Sequence, residues 1–302
     1  MQRVLASIVL AVSLAAGATA AQPVTGRDDT VRAAETLDIG VLTAKAQAGD
    51  AEAQLRLADD YFSGNGVDQN YGMALLWYEK AALQGNVVAQ TELGVLYCKG
   101  LGVALDYDKA LYWTRMAADQ NYADALYNLG VAYDYGLGVP RDIPTAFAWY
   151  LKAADRGNDI AQFNAGSMYE NGEGAAQDYA QALAWYARSA DQGYAPAQYN
   201  LGILYLDGKG VTVDTARGLT LVELAAKQGF ALAQDRMAGA YYAGSGVPVD
   251  KVRAYAWALL AAYGGDRNAE TLLNQMDVSQ DLSEAQYVEA SKLAESLLPP
   301  AV

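Results

Sequence analysis

The chain has 302 residues, of which 53% are apolar, and it carries a net charge of −14 at neutral pH. It has no histidine and a single cysteine, which excludes histidine-based catalytic triads and Cys/His zinc sites. Because 35 acidic residues outnumber 21 basic ones, the surface repels nucleic-acid phosphates, and we expect neither a nucleic-acid partner nor a bound cofactor.

The first twenty residues have the pattern of a secretory signal peptide. Arg3 precedes an apolar run at residues 4–17, and the small residues Ala18-Thr19-Ala20 form a cleavage signal. This run is shorter than the ~20 apolar residues that a membrane-spanning helix needs. We therefore predict cleavage after Ala20, no integral membrane segment after cleavage, and a periplasmic or secreted location.

A repeat of 36 residues occupies most of the remaining chain. Three columns recur at this step without drift: a Gly-x-Gly pair, an alanine and a tyrosine. The Gly-x-Gly pairs begin at Gly64, Gly100, Gly136, Gly172, Gly208 and Gly244. A fixed period of this length indicates a solenoid of stacked supersecondary units.

Each repeat predicts two helices, which we call helix A and helix B. In the unit around residues 197–205, small or apolar side chains recur at helical spacing, which indicates helix A. After the Gly-x-Gly turn, a side-chain acceptor can cap helix B in all six units, at Asn70, Asp106, Asp142, Asp178, Asp214 and Asp250. Helix B then ends at residue types that readily adopt the left-handed conformation, at Gly85, Asn121, Gly157, Gly193, Gly229 and Gly265.

Three motifs of the unit together resemble the Sel1-like repeat, a relative of the tetratricopeptide repeat. They are A-x-x-x-L-G-x-x-Y, G-x-G-V and D-Y-x-x-A-x-x-W-x-x-x-A-A-x-x-G. The resemblance implies an all-α fold, a right-handed α-solenoid of helix-turn-helix repeats. We place six repeats at residues 49–264 and an N-terminal segment with a capping half-repeat at residues 21–48. Degenerate capping helices are expected at residues 265–302, the last of them capped by Ser283.

Proteins with similar repeats act mostly as adaptors in the bacterial cell envelope. The resemblance therefore implies a non-enzymatic scaffold that binds a partner protein or peptide, in regulation or assembly of an envelope process. One alternative is a secreted protein that binds an extracellular or host target. Another is a β-lactam-binding or hydrolysing enzyme like the cysteine-rich Sel1 relatives, although those have a disulfide in each repeat, and this chain also lacks Ser-x-x-Lys and Gly-x-Ser-x-Gly motifs.

Three aromatic-asparagine pairs in successive A helices are the candidate binding residues: Tyr127-Asn128, Phe163-Asn164 and Tyr199-Asn200. Because helix A lines the concave groove in related repeats, the pairs would form a ladder there. Its amides would bind the backbone of an extended peptide, and its rings would add apolar contact. Negative charge further along the same helices would favour a basic ligand, at Asp134, Glu170 and Asp207. The alternative is structural: the rings pack against the neighbouring A helix and the asparagines brace the array.

Two further residue types have structural explanations. Five tryptophans recur in helix B, and we expect them to fill the core between helices. Cys98 shares its column with polar and apolar residues, which predicts a half-exposed side chain. We interpret it as an incidental free thiol, with a redox role as the alternative.

Overall fold

The computed structural model of the protein describes residues 39–297. Fifteen α-helices and no strand occur in this range. The predicted signal peptide at residues 1–20 lies outside the described residues, as do residues 21–38 and 298–302. The predicted all-α fold of paired helices is confirmed.

Twelve of the helices form six pairs along the chain. The A helices are α2 (Ala51–Ser63), α4 (Val87–Lys99), α6 (Ala123–Tyr135), α8 (Asp159–Asn171), α10 (Ala195–Asp207) and α12 (Ala231–Ala243). The B helices are α3 (Tyr71–Leu83), α5 (Tyr107–Asp119), α7 (Ile143–Asp155), α9 (Tyr179–Asp191), α11 (Thr215–Lys227) and α13 (Lys251–Tyr263). Helix α1 (Ile39–Gln47) precedes the pairs, and α14 (Arg267–Val278) and α15 (Glu284–Leu297) follow them.

The chain divides into two compact units, and the boundary falls within α8. The first unit comprises the residues up to Asn164 together with Glu173–Ala175. The second comprises Ala165–Gly172 together with the residues from Ala176 onwards. Within the first unit α2 packs against α3 and α4 against α5, and within the second α10 packs against α11 and α12 against α13.

Both ends of helix B are specified by the residues that the sequence indicates. All six predicted N-caps are confirmed; at Asp214, for example, the carboxylate accepts a hydrogen bond of 3.0 Å from the N–H of Arg217. The six predicted stop residues all have positive φ, including the non-glycine Asn121 at 60°. These caps satisfy backbone groups that would otherwise lack partners at the helix ends.

The Gly-x-Gly turn needs glycine for two reasons. Both glycines of the third turn are left-handed, with φ of 72° at Gly136 and 70° at Gly138. A Cβ at Gly138 would also lie 2.7 Å from the Cβ of Tyr107, at the start of helix B in the preceding repeat. The second glycine therefore makes the turn and also leaves room for the preceding repeat.

Four of the five tryptophans of helix B belong to the core, as predicted. Trp77, Trp113, Trp185 and Trp257 are buried, and Trp149 is half-buried. The Lys152 ammonium group lies over the ring of Trp149, with its Nζ 3.9 Å from the ring centroid.

The C-terminal helix α15 packs against α13 through small residues. Ala290 and Ala294 of α15 form one buried cluster with Ala256 of α13. The N–H of Gln286 donates to the Ser283 Oγ at 3.4 Å, and the Ser283 N–H donates to the Gln286 Oε1 at 3.0 Å. This reciprocal capping box confirms Ser283 as the residue that starts the last helix.

Candidate partner-binding face

The predicted site residues lie on three successive A helices, α6, α8 and α10. In the first unit are Tyr127, Asn128, Asp134, Phe163 and Asn164. In the second unit are Glu170, Tyr199, Asn200 and Asp207.

The three aromatic residues differ in exposure although they share one column. Phe163 is buried in the core, with 8% of its surface exposed. Tyr127 is half-buried, and its ring centroid lies 5.7 Å from that of Tyr150 on helix B of the same repeat. Tyr199 is also half-buried and meets Phe230 edge to face at 5.5 Å. All three rings therefore contribute to packing, and only the two tyrosines keep surface for a ligand.

The asparagines of the column also differ. The Asn200 Nδ2 donates a hydrogen bond of 3.1 Å to the hydroxyl of Tyr186, so this side chain braces the second unit. Asn128 and Asn164 are half-buried in the first unit, and neither forms a side-chain hydrogen bond with another residue of the range 39–297. We call Asn128 and Asn164 the Asn pair. Each of its amides can both donate and accept hydrogen bonds.

The three predicted carboxylates are held in different ways. The Tyr186 hydroxyl donates to the Glu170 Oε2 at 2.8 Å, and the Tyr150 hydroxyl donates to the Asp134 Oδ2 at 3.3 Å. Two of the carboxylates also lie near basic side chains. The Arg141 Nη2 is 3.8 Å from the Asp134 Oδ1, and the Lys209 Nζ is 3.2 Å from the exposed Asp207.

Tyr150 and Tyr186 are two of the buried tyrosines of helix B, and the sequence analysis missed them. Burial raises the pKa of Tyr150 and Tyr186 well above their ordinary range, so both hydroxyls stay protonated and act as donors. Glycine on the facing A helix leaves room for both rings. A Cβ at Gly130 would lie 2.5 Å from the Tyr150 Cδ1, and a Cβ at Gly166 would lie 2.7 Å from the Tyr186 Cδ1. A tyrosine twenty residues after the glycine of the Leu-Gly or Ala-Gly dipeptide is the sequence signal for this pairing.

The six helix pairs coincide with six matches to a known repeat family. The Sel1 repeat family model matches six consecutive segments, at residues 51–86, 87–122, 123–158, 159–194, 195–230 and 231–266. The chain belongs to the Sel1 repeat family. The resemblance stated from the sequence and the predicted solenoid of Sel1-like repeats are thereby confirmed.

Solved structures support the same assignment. The chain is similar to a protective antigen of uropathogenic Escherichia coli strains that displays an SLR fold, with 31% identity, a TM-score of 0.76 and 86% of this chain covered. The match spans 56% of that antigen's length. A Sel1 repeat protein from Oxalobacter formigenes has 30% identity and a TM-score of 0.68, with 75% of this chain and 100% of that chain covered. The comparison with curated proteins finds no match.

Sel1 repeat solenoids are typically non-enzymatic scaffolds suited to protein-protein interaction, and this protein shares that architecture. Within residues 39–297, no three Cys, Asp or Glu side chains are grouped so that they could hold a metal ion. In the same range, every helix is too short or too polar to cross a membrane. Burial raises the pKa of the half-buried Cys98 thiol, which disfavours the reactive thiolate.

A column of buried glutamines links the repeats of this Sel1 protein and also went unnoticed in the sequence. In the second unit, the Gln198 Nε2 donates to the carbonyl of Ala190 at 3.3 Å, and the Gln228 Nε2 donates to the Gln198 Oε1 at 2.7 Å. In the first unit, the Gln84 Nε2 likewise donates to the Gln54 Oε1 at 2.8 Å. The recurrence of Gln at the 36-residue step was a visible signal. These hydrogen bonds satisfy buried polar groups.

Proposed function

We propose that this Sel1 repeat protein is an exported, non-enzymatic scaffold that binds a segment of a partner protein in the groove formed by its A helices. Its role would be in regulation or assembly of a cell-envelope process. The signal-peptide pattern of residues 1–20 supports export to the periplasm. The observation that carries the binding site is the Asn pair, two amides one repeat apart that have no partner within residues 39–297.

The chemistry of the Asn pair favours an extended protein segment as the ligand. A half-buried amide without a partner is costly unless water or a ligand completes its hydrogen bonds. An extended backbone offers one N–H and one C=O per residue, which matches the donor and acceptor of each Asn side chain. The half-buried Tyr127 lies next to Asn128 and adds a rigid apolar surface. The acidic net charge of −14 favours a partner segment that carries basic residues.

The proposal is tested by crosslinking and affinity capture of the full-length protein in its own host. The variant is the double substitution Asn128→Ala/Asn164→Ala, which removes the Asn pair without touching the buried Phe163. Asn200→Ala is the matched control, because it removes the same group where Tyr186 already binds it. We expect an envelope protein that wild type and Asn200→Ala capture and that the double variant loses. Equal capture by all three proteins would contradict the proposed site.

A second candidate function is binding of an extracellular or host target. It is favoured by the similarity to the protective antigen of uropathogenic Escherichia coli, although the match spans 56% of that protein. Fractionation separates the two candidates: immunoblots of the periplasm, the cell surface and the culture medium locate the mature protein. Protein confined to the periplasm supports the envelope role, and protein in the medium or on the cell surface supports the second candidate.

An enzymatic role like that of the cysteine-rich relatives is not part of the proposal. We expect nitrocefin turnover by the purified mature protein to equal that of buffer. A rate that persists through further purification would overturn the non-enzymatic assignment.

A further inference from the structure

Gly239 is an exposed glycine in the middle of α12 for which the fold gives no reason. Other glycines within A helices have close neighbours: a Cβ at Gly202, for example, would lie 2.8 Å from the carbonyl oxygen of Gly218. A Cβ at Gly239 would meet nothing within 4 Å, and its φ is not positive. Glycine inside a helix is less favourable than alanine, so the free energy of folding gains nothing from Gly239.

The surroundings of Gly239 are acidic and only partly compensated. Asp235 lies one turn before it on the same helix face and is half-buried. Burial raises the pKa of Asp235, and the nearby charge of Asp266 raises it further, while Arg236 acts in the opposite direction. In the range 39–297, Asp235 has neither an ion pair nor a side-chain hydrogen bond. A half-buried carboxylate that lacks a counter-ion is stabilised when a cation from outside the chain pairs with it.

We propose that Gly239 and Asp235 form a contact point on the second unit for a basic, extended segment of the partner protein. This inference rests on the proposed function and adds to it a second contact site for the basic segment. The bare Gly239 backbone admits the main chain of the segment at a distance that any side chain would prevent. A Lys or Arg side chain of the segment pairs with Asp235 through a charge-assisted hydrogen bond. The half-buried Tyr199 occupies on α10 the position that Asp235 occupies on α12, one repeat later.

The test begins with selection of a random 12-residue phage-displayed peptide library on the full mature protein. Enriched peptides are labelled with fluorescein, and their Kd values are measured by fluorescence anisotropy. We expect enrichment of Lys and Arg, and we expect Gly239→Leu to weaken binding at least tenfold because its side chain fills the approach. Asp235→Asn should weaken binding and reduce its salt dependence. Ala184→Leu, an equally exposed helical position on α9, is the matched control and should bind like wild type.

The melting temperature provides a second test, because we expect a substitution at Gly239 to raise stability, whereas Gly239→Leu weakens binding. Gly239→Ala should raise the Tm by about 1–2 °C, since alanine favours the helix and its Cβ meets open space. A lower Tm would reveal a packing role for Gly239 and overturn the inference. Unchanged peptide binding by Gly239→Leu would also overturn it.

The two proposals fail in distinguishable ways. Peptides that lose binding in Asn128→Ala/Asn164→Ala but not in Gly239→Leu would leave the proposed function intact and refute the contact at Gly239. Selection without enrichment, or binding insensitive to both variants, would refute both. A dimer in sedimentation that Gly239→Leu dissociates would assign the surface to a second copy of this chain and refute the basic partner segment.

Discussion

The hydrogen bonds of Tyr186 allow a quantitative test of how the second unit is held together. The substitution Tyr186→Phe keeps the ring but removes the donor to Glu170 at 2.8 Å and the acceptor for Asn200 at 3.1 Å. A hydrogen bond to a charged group contributes about 1.5–3 kcal/mol and a neutral one about 0.5–1.5 kcal/mol. Because Glu170 and Asn200 are half-exposed, water replaces part of the loss, and we expect a cost of about 2 kcal/mol.

That loss corresponds to a Tm lower by about 3–4 °C for a chain of this size. Urea denaturation followed by circular dichroism and by tryptophan fluorescence gives the free energy, and agreement of the two probes checks that unfolding is cooperative. Tyr150→Phe is the matched control, since it removes one longer bond of 3.3 Å to Asp134. We expect it to cost less than about 1 kcal/mol. Equal losses in the two variants, or a loss under about 0.5 kcal/mol for Tyr186→Phe, would refute the reasoning.

Three further predictions concern other parts of the molecule. Gly130→Ala places a Cβ 2.5 Å from the Tyr150 ring. The cost of overpacking exceeds the gain in helix propensity, so we expect the free energy of unfolding to fall by about 1 kcal/mol, and a higher Tm would contradict this. The raised pKa of Asp235 means that its protonation stabilises the fold as the pH falls, so Asp235→Asn should be more stable than wild type at pH 7. Scanning fluorimetry should show that advantage shrinking as the pH falls through this pKa, which lies above 3.8, and a constant advantage would exclude Asp235 as its cause. Lys251→Ala removes the 2.9 Å contact with the Asp281 Oδ2 and should lower the Tm at pH 7. The Lys251 hydrogen bond lowers the pKa of Asp281, so the stability of this pair is lost as the pH falls through that lowered value, and a pH-independent effect of Lys251→Ala would contradict the ion pair.

The helices and their ends could be predicted from the sequence because local chemistry decides them. The N-cap at Asp214 and the left-handed stop at Asn121 each depend on one residue and its own backbone. The 36-residue period then fixes the order of helices A and B along the chain. The caps and stops depend on no contact with a neighbouring repeat.

The exposure of the candidate site could not be predicted, because it depends on partners in other helices. Tyr127 and Phe163 share a column, yet the first is half-buried and the second is in the core. The bracing role of Asn200 likewise depends on Tyr186, fourteen residues away. A side chain's column gives its direction from the helix axis, whereas its burial depends on the sizes of the residues across the interface. The ladder of aromatic-asparagine pairs therefore remains a prediction, and the Asn pair is the part of it that best suits a ligand.

The two roles of glycine in the Gly-x-Gly turn have a consequence for the evolution of this protein. In four turns the second glycine accommodates the first residue of helix B in the preceding repeat, as Gly138 accommodates Tyr107, so these repeats carry the complementary surface for the neighbour before them. A duplicated 36-residue segment would thus arrive already able to join the array, whereas an insertion inside a turn would displace that surface. Array length can then vary in whole repeats, while binding specificity changes by substitution at fixed positions of the A helices.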